Sequence, residues 1–422
     1  MTDVDVADAS ARIQFRRGLT LTLMTLFMPG SAQLVMGNKT IGRIAVRVWL
    51  STLGLAALLV LISMTSRRGL FSLATNSFLL HVGTWLLVAG AIAWVALMLD
   101  AWRLARPLDM ERNHRLWMTG LNSALCFVTA GTLLTAAHLM STGNALIGTV
   151  FAAETSAGPS GGRYNVLLLG GDSGPGREGV RPDSLTVASV DADTGRTVLI
   201  GLPRNLQDVP FPRGTVMHEQ FPDGFDSCGD DCYLNSVNTW ANDHADLFPA
   251  SYGELPGMRA TMDAVEAITG LDLSYHAMVN MEGFSELIDA VGGVTIDVKE
   301  RTAIDGIGRP VSGYIEAGTQ KLNGTEALWY SRSRVDNDDF SRMGRQKCVM
   351  NAMLQQLNPK DVLFNVEKIA DSSTSLLETD IPAGDLGTFM DLALKARGQK
   401  VSTVSLVPPV IYTGNPDYDK VR

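Results

Sequence analysis

Residues 164–205 read YNVLLLGGDSGPGREGVRPDSLTVASVDADTGRTVLIGLPRN. YNVLLLGG is a continuous apolar run of strand length bounded by glycines, and LTVASVD and RTVLIGLP are two more such runs. Asp193-Thr194-Gly195 supplies the turn between the last two, so the stretch predicts adjacent strands joined by one long Gly/Pro-rich loop and one short turn. Downstream the period changes. MRATMDAVEAITG (258–270) and EGFSELIDAVGG (282–293) repeat their apolar residues at helical spacing and end on glycine, the usual helix stop. HAMVNM (276–281) and VTIDVK (294–299) read as strands. Further helices are expected near 324–330, 339–357, 361–376 and 383–396, with a last strand at 401–406. Strands alternating with helices place helices on the faces of a sheet, which is the α/β sandwich class.

Upstream the chain is of a different kind. The sequence has 422 residues, room for more than one unit. Nearly all its long apolar runs lie before residue 150. The runs 48–64, 78–99 and 121–140 have bilayer-spanning length with few or no charges. A shorter one, 19–36, is interrupted by Pro29-Gly30 and carries Gln33. Arg103, Arg106, Arg112 and Arg115 lie between the second and third long runs, which places that connection in the cytoplasm. Counting back, 66–77 is outside and 39–47 inside. The N-terminal tail, with Arg12, Arg16 and Arg17, is then inside only if 19–36 does not cross. The expected organisation is a cytoplasmic tail at 1–18, a transmembrane region at 19–141 with three spans, a linker at 142–162, an extracytoplasmic domain at 163–410 and a C-terminal tail at 411–422. The protein is expected in the cell membrane as a multi-pass protein. The N-terminus has no cleavable-signal pattern.

The formal net charge of −9 argues against nucleic-acid binding, which ordinarily shows a basic stripe. Of four cysteines, Cys126 and Cys348 read as buried small hydrophobes. Cys228 and Cys232, in FDSCGDDC, are expected to form a disulfide in an exported domain.

Charge concentrates at the strand ends. Asp172 and Asp183 end neighbouring strands, where two carboxylates can share a magnesium ion (Mg2+), which favours one or two carboxylates plus phosphate and water oxygens. A pair of solvated loop acids is the alternative. Arg181 stands two residues before Asp183 and so leaves the strand on the same face. Arg204 closes the third strand after Pro203. SRSRVDNDDFSRMGRQ (331–346) adds Arg332 and Arg334, expected in an extended or loop segment, and Arg342 with Gln346 one helical turn apart. Asp339 stands near that helix's start. A salt-bridged solvated face would explain such a cluster. Together with the strand-end arginines it also suits a diphosphate, since guanidinium forks match phosphate oxygens bidentately. No Gly-x-x-x-x-Gly-Lys-Ser/Thr loop and no Gly-x-Ser-x-Gly elbow is present, and His218, His244 and His276 show no metal-ligand spacing.

YNVLLLGGD, RPDSLTVASVD, IGLPRN, LIDAVGGVTIDV, LNGTEALWYSRSR and DDFSRMGRQKCVM, in that order, resemble the LytR-CpsA-Psr family, and LPRNLQDVPFP with FPDGFDSCGDDCYLN resembles its actinobacterial branch. The resemblance implies an α-β-α sandwich around a mixed central sheet, anchored in the membrane and facing outward. It implies transfer of a glycopolymer from a polyprenyl-pyrophosphate carrier to peptidoglycan, with Mg2+ on Asp172 and Asp183. It matches Arg181, Arg204, Arg332, Arg334, Arg342 and Gln346 to pyrophosphate-binding positions and Asp339 to the acid of the family's RxR…DxxRxxRQ motif. Asp183, Asp339, Arg332 and Arg334 are the expected catalytic residues, with Asp339 expected to take the acceptor's proton. Where the family often has Pro-Arg-Asp, this chain has Pro203-Arg204-Asn205. Two rivals stay open: a non-catalytic polyprenyl-phosphate sensor, and a lipid pyrophosphatase.

Overall fold

The computed structural model describes residues 3–151, 153, 155–171, 181–229, 231–253, 255–306, 310–335, 339–356, 377–397 and 399–422. The chain divides into two compact units, Met1–Asn144 and Ala145–Arg422.

The first unit is helical: α1 (Asp3–Phe27), α2 (Ser31–Met36), α3 (Lys39–Thr65), α4 (Arg67–Ala74), α5 (Ser77–Leu104) and α6, which starts at Arg112 and runs on to Val150. Three stretches, Lys39–Thr65, Ser77–Asp109 and Arg112–Val150, are long and apolar enough to cross a membrane. They contain the three apolar runs expected to span, and their apolar side chains face outward, as lipid-exposed helices require.

The interrupted segment 19–36 behaves differently. Pro29 ends α1, and Gly30 adopts a φ of 93°, where a Cβ would also lie 2.6 Å from Ala45 Cβ and 2.8 Å from the Gly42 carbonyl. Only glycine fits so tight a reversal. Phe15 stacks on His114 with ring centroids 4.9 Å apart, and Gly18 abuts Met110 and Met118. At the other end, Gly37 abuts Leu104. Both ends of the segment therefore lie beside the α5–α6 junction, so α1 and α2 form a hairpin that returns to the end where it started. Gln33, fully buried, fastens it by donating to the Leu97 carbonyl (3.0 Å) and to Asp100 (3.1 Å).

The second unit is the α/β domain. Its six-stranded sheet has the order β10-β3-β2-β1-β4-β9. The strands are β1 (Arg163–Gly171), β2 (Pro182–Asp191), β3 (Thr197–Leu202), β4 (Tyr275–Asn280), β9 (Leu377–Thr379) and β10 (Ser402–Ser405). β1–β2, β2–β3 and β4–β9 pair antiparallel, while β1–β4 and β3–β10 pair parallel, so the sheet is mixed. Two ribbons stand apart from it: β5 (Val294–Val298) with β8 (Gly318–Leu322), and β6 (Thr302–Asp305) with β7 (Val311–Ile315). VTIDV is thus a strand, but of a ribbon rather than of the central sheet. The helices are α7 (Val216–Gln220), α8 (Val237–Asp243), α9 (Gly257–Thr269), α10 (Met281–Ala290), α11 (Gly324–Arg332), α12 (Asp339–Gln356) and α13 (Leu386–Ala396). The helix expected at 361–376 lies outside the described residues.

Alternation along the strands divides the core. Leu167, Leu169, Leu185 and Val187 point to one face, packing with Val237 of α8 and Val265 and Ile268 of α9. A separate cluster joins Ile288 of α10, Ala327 and Tyr330 of α11, and Val349 and Ala352 of α12 to the β5–β8 ribbon. Several expectations need correction. Residues 142–150 are the end of α6, not linker. The rest of the expected linker is tied down: Ser160 Oγ donates to Asp272 (2.7 Å), and Ala157 hydrogen-bonds through both backbone groups to the Tyr275 hydroxyl. The expected tail is packed as well, with Ile411 buried and the Tyr418 hydroxyl donating to the Gln207 carbonyl (2.6 Å). Cys348 is exposed, because Ser341, Gly344, Cys348 and Gln355 form the outward stripe of α12.

Three phenols tie alkaline stability to this packing. Burial first, and hydrogen bonds to Asp263 and Asp385 second, push Tyr252 and Tyr275 each up to about 12. Burial raises Tyr418 too. The folded chain keeps these protons where the unfolded chain loses them near pH ~10. Stability from these groups is therefore complete below that pH and declines as pH rises toward 12. Denaturant midpoints of the full chain between pH 8 and 11.5 should fall, and Tyr275→Phe should flatten the fall. An unchanged slope in that variant would refute the assignment.

Candidate active site

A cavity of about 840 Å³ opens in the second unit. Its floor is the end of β1, where Gly170 and Gly171 carry no side chains to fill it; a Cβ on Gly170 would come within 3.2 Å of Ser184 Cβ. Leu168 of β1, Val279 of β4, Phe284 and Leu287 of α10, and Met350 and Met353 of α12 make an apolar wall. Unbranched methionines suit a flexible hydrocarbon guest.

The polar part of the same cavity holds Arg181, Asp183, Arg204, Arg332, Arg334, Arg342 and Gln346. These come from β2 and the residue before it, the residues after β3, the end of α11 and the residues beyond it, and the first turns of α12. Arg204 bonds the Asp183 carboxylate, and its Nε lies 4.0 Å from Asp339 Oδ1. Arg342, only 3% exposed, spans two partners: Nη2 is 2.8 Å from Asp339 Oδ1, and Nη1 donates to the Asp183 carbonyl at 2.9 Å. Among the described residues Asp339 Oδ2 and Arg342 Nε are buried without a hydrogen-bond partner.

The residues of SRSRVDNDDFSRMGRQ divide by role. Arg332 is helical, not extended: the Asn323–Glu326 capping box starts α11, which runs through Arg332. Its guanidinium stands 4.9 Å over the Trp329 ring, a cation–π contact that fixes its direction. Arg334 lies in the loop beyond, exposed. Arg342 and Gln346 share one face of α12, as their spacing predicts. Arg345 turns away from the cavity and donates to the Tyr330 (2.7 Å) and Ser333 carbonyls, so it staples α12 to the end of α11. Asp339 is not among the residues that line the cavity; it stands behind Arg342. Asp172 lies outside the described residues, although Gly171, which precedes it, is paired with Pro182. The described residues contain no group of three His, Cys, Asp or Glu that could hold a metal ion.

Cys228 and Cys232 are joined as expected. The part that their loop plays at the site is not legible in the sequence. Asp231 comes within 3.9 Å of Arg181, and Tyr233 and Asn235 line the cavity beside Asn205. The nearness of the Cys pair to LPRN in space carries no local signal; it rests on backbone bonds between segments about 30 residues apart, Leu234 N to Leu206 O (2.9 Å) and Asn235 N to Arg204 O (3.0 Å). An apolar wall ending on clustered guanidinium groups beside a carboxylate can hold a lipid-borne phosphate and stabilise charge that develops on it.

The sequence is similar to several known proteins. The chain is 28% identical over 164 residues to the Bacillus subtilis polyisoprenyl-teichoic acid–peptidoglycan teichoic acid transferase TagV, covering 37% of this chain and 41% of that one. It is 28% identical over 283 residues to the Corynebacterium glutamicum cell wall biosynthesis protein LcpA, covering 61% and 52%. It thus spans about half the length of these curated relatives. The crystal structure of B. subtilis TagV overlaps 62% of this chain and 94% of its own at 25% identity, with a TM-score of 0.44. The LytR_cpsA_psr family model matches residues 148–419, well over half of the sequence, and the chain belongs to that family.

Proposed function

We propose that the protein is a membrane-anchored phosphotransferase that moves a glycopolymer, as glycosyl phosphate, from a polyprenyl-pyrophosphate carrier to a hydroxyl of peptidoglycan. The observation that carries this reading is the cavity in which a wall from α10, α12 and β4 meets Arg204, Arg332, Arg342 and Asp183. The prenyl chain lies along the apolar wall and the diphosphate on the guanidinium groups. An oxygen of the acceptor, the C6 hydroxyl of N-acetylmuramic acid, bonds to the phosphorus next to the sugar. The bond from that phosphorus to the bridging oxygen breaks, and the lipid monophosphate leaves with the electron pair and the hydroxyl's proton. Phosphoryl transfer through a loose transition state depends on positioning and charge neutralisation more than on a strong base. Asp339 therefore acts by holding Arg342.

Asp183 suits Mg2+, which takes one or two carboxylates and completes its shell with phosphate and water oxygens. Asp172, next after the β1 residue paired with Pro182, is the second candidate ligand. Such a cation would offset charge on the departing phosphate. The first unit supports a sidedness for this reading. The α1–α2 hairpin returns to the arginine-rich α5–α6 junction, whose charge favours the cytoplasm. Three crossings from there support a catalytic domain outside the cell, where peptidoglycan lies.

The test uses the full-length protein in detergent with a labelled lipid-pyrophosphate-linked sugar and peptidoglycan fragments, with Mg2+ or with chelator. Magnesium-dependent label on the glycan is expected, reduced at least ~100-fold in Asp183→Ala and Arg332→Ala. Tight lipid binding without product would instead make the protein a sensor, and free glycosyl phosphate would make it a pyrophosphatase.

A further inference from the structure

The cavity has a third wall, neither apolar nor charged for phosphate. Asn205, Tyr233 and Asn235 line it, with no hydrogen-bond partners for their side chains among the described residues. We propose that these three residues read the first sugar of the lipid-linked glycan and so determine which polymer is transferred. The proposal rests on the transferase reading and adds the substrate-selecting surface to it.

Chemistry narrows the guest. A carboxamide offers donor and acceptor together, and a phenol offers both at one oxygen, which matches the hydroxyls and amides of a sugar. Neither group carries the positive charge that neutralises a phosphate, and the two carboxamides are too polar to serve a prenyl chain.

Position supplies the second argument. Residues 231–235 belong to the other side of the cavity from its apolar wall. Leu234, Cys228 and Cys232 pack in the cluster under α8 and α9, whereas Phe284 and Met353 pack with α10–α12. The backbone bonds from Asn235 to Arg204 and from Leu234 to Leu206 lay this segment directly along the arginine-bearing loop. Asp231 reaches to 3.9 Å from Arg181. In a lipid–diphosphate–sugar chain the sugar sits at the far end of the diphosphate from the lipid. With the lipid against α10 and α12 and the diphosphate on the arginines, the next group meets Asn205, Tyr233 and Asn235.

Its segment at 231–235 is also braced: the Cys228–Cys232 bond, the Ser236 Oγ donation to the Asp231 carbonyl (2.8 Å) and the fully buried Leu234 tie it to the fold. Groups held in advance discriminate among sugars, because a misplaced hydroxyl leaves a polar partner unmet.

The experiment compares two donors on the same prenyl diphosphate, one bearing an N-acetylhexosamine and the other a hexose, using the full-length protein. A sugar-free prenyl diphosphate is the binding probe. Asn205→Ala, Asn235→Ala and Tyr233→Phe should bind that probe within about twofold of wild type. They should lower kcat/KM for the preferred donor about 10–100-fold and bring the ratio between the donors toward one. An unchanged ratio overturns the proposal, and if the KM for the peptidoglycan fragment rises instead, the wall reads the acceptor. Loss of probe binding would assign the wall to the diphosphate. If no donor is turned over at all, the transferase reading fails separately. The same ratio is then read by competition against the labelled probe, where the proposal still requires the variants to lose discrimination.

Discussion

Arg342→Ala is expected to lower transfer by about 10³-fold, a larger loss than that of any other single guanidinium in the cavity. The reason is its burial and its double duty. At 3% exposure it holds Asp339 at 2.8 Å and the Asp183 carbonyl at 2.9 Å while presenting to the cavity. Removing it strands a half-buried carboxylate and a carbonyl, so stability should also fall, by about 3 kcal/mol. Arg342→Lys keeps the charge but not the fork, and should recover stability better than rate. Asp339→Asn provides the contrast. If Asp339 only holds Arg342, its amide should cost less than ~10-fold and leave the pH profile of kcat in place. A loss of ~100-fold or more with a vanished ionisation limb would make Asp339 the base instead.

Gly324→Ala is expected to be the most damaging small substitution in the domain. A Cβ there would fall 1.9 Å from the Ser285 carbonyl oxygen and 2.6 Å from its carbon. The Gly324 amide donates to Asp289 at 2.7 Å, so the start of α11 is clamped to α10 and has no room to shift. Overpacking ordinarily costs about 1–3 kcal/mol, and a collision with backbone exceeds that range. α10 and α11 carry Phe284, Leu287, Leu328 and Arg332, so prenyl diphosphate binding should weaken together with thermal stability. A wild-type melting temperature in this variant would show that the two helices are not so tightly joined.

What the sequence disclosed depends on the range over which each signal acts. β1, β2 and β3 were legible because a strand buried on both faces writes a continuous apolar run, and α9 because Gly270 stops it. Arg342 and Gln346 were placed on one face by a single helical turn. Arg332 is helical where the charges around it point to a loop: Asn323 and Glu326 announce the helix that carries it, but the charge cluster after it masks that cap. The ribbons β5–β8 and β6–β7 could not be separated from the main sheet, since pairing is decided across intervening residues. Asn205, Tyr233 and Asn235 are not legible for a plainer reason: uncharged side chains leave no mark in a charge pattern, and only folding brings them to the arginines.

The contact between Asp183 and Arg204 has a thermodynamic consequence. Each group is the other's counter-charge, and in the proposed reaction each also has a ligand of its own, a cation for the acid and a diphosphate for the arginine. Either ligand arriving alone must break the pair, leaving Asp183 without a counter-charge or Arg204 with only Asp339, 4.0 Å away. When both arrive, the pair is exchanged for two new ones. Their affinities are therefore linked, and by reciprocity each raises the other by the same factor. Titrating prenyl diphosphate at several magnesium concentrations would read that factor directly, and Arg204→Ala, which removes one half of the exchange, would shrink it.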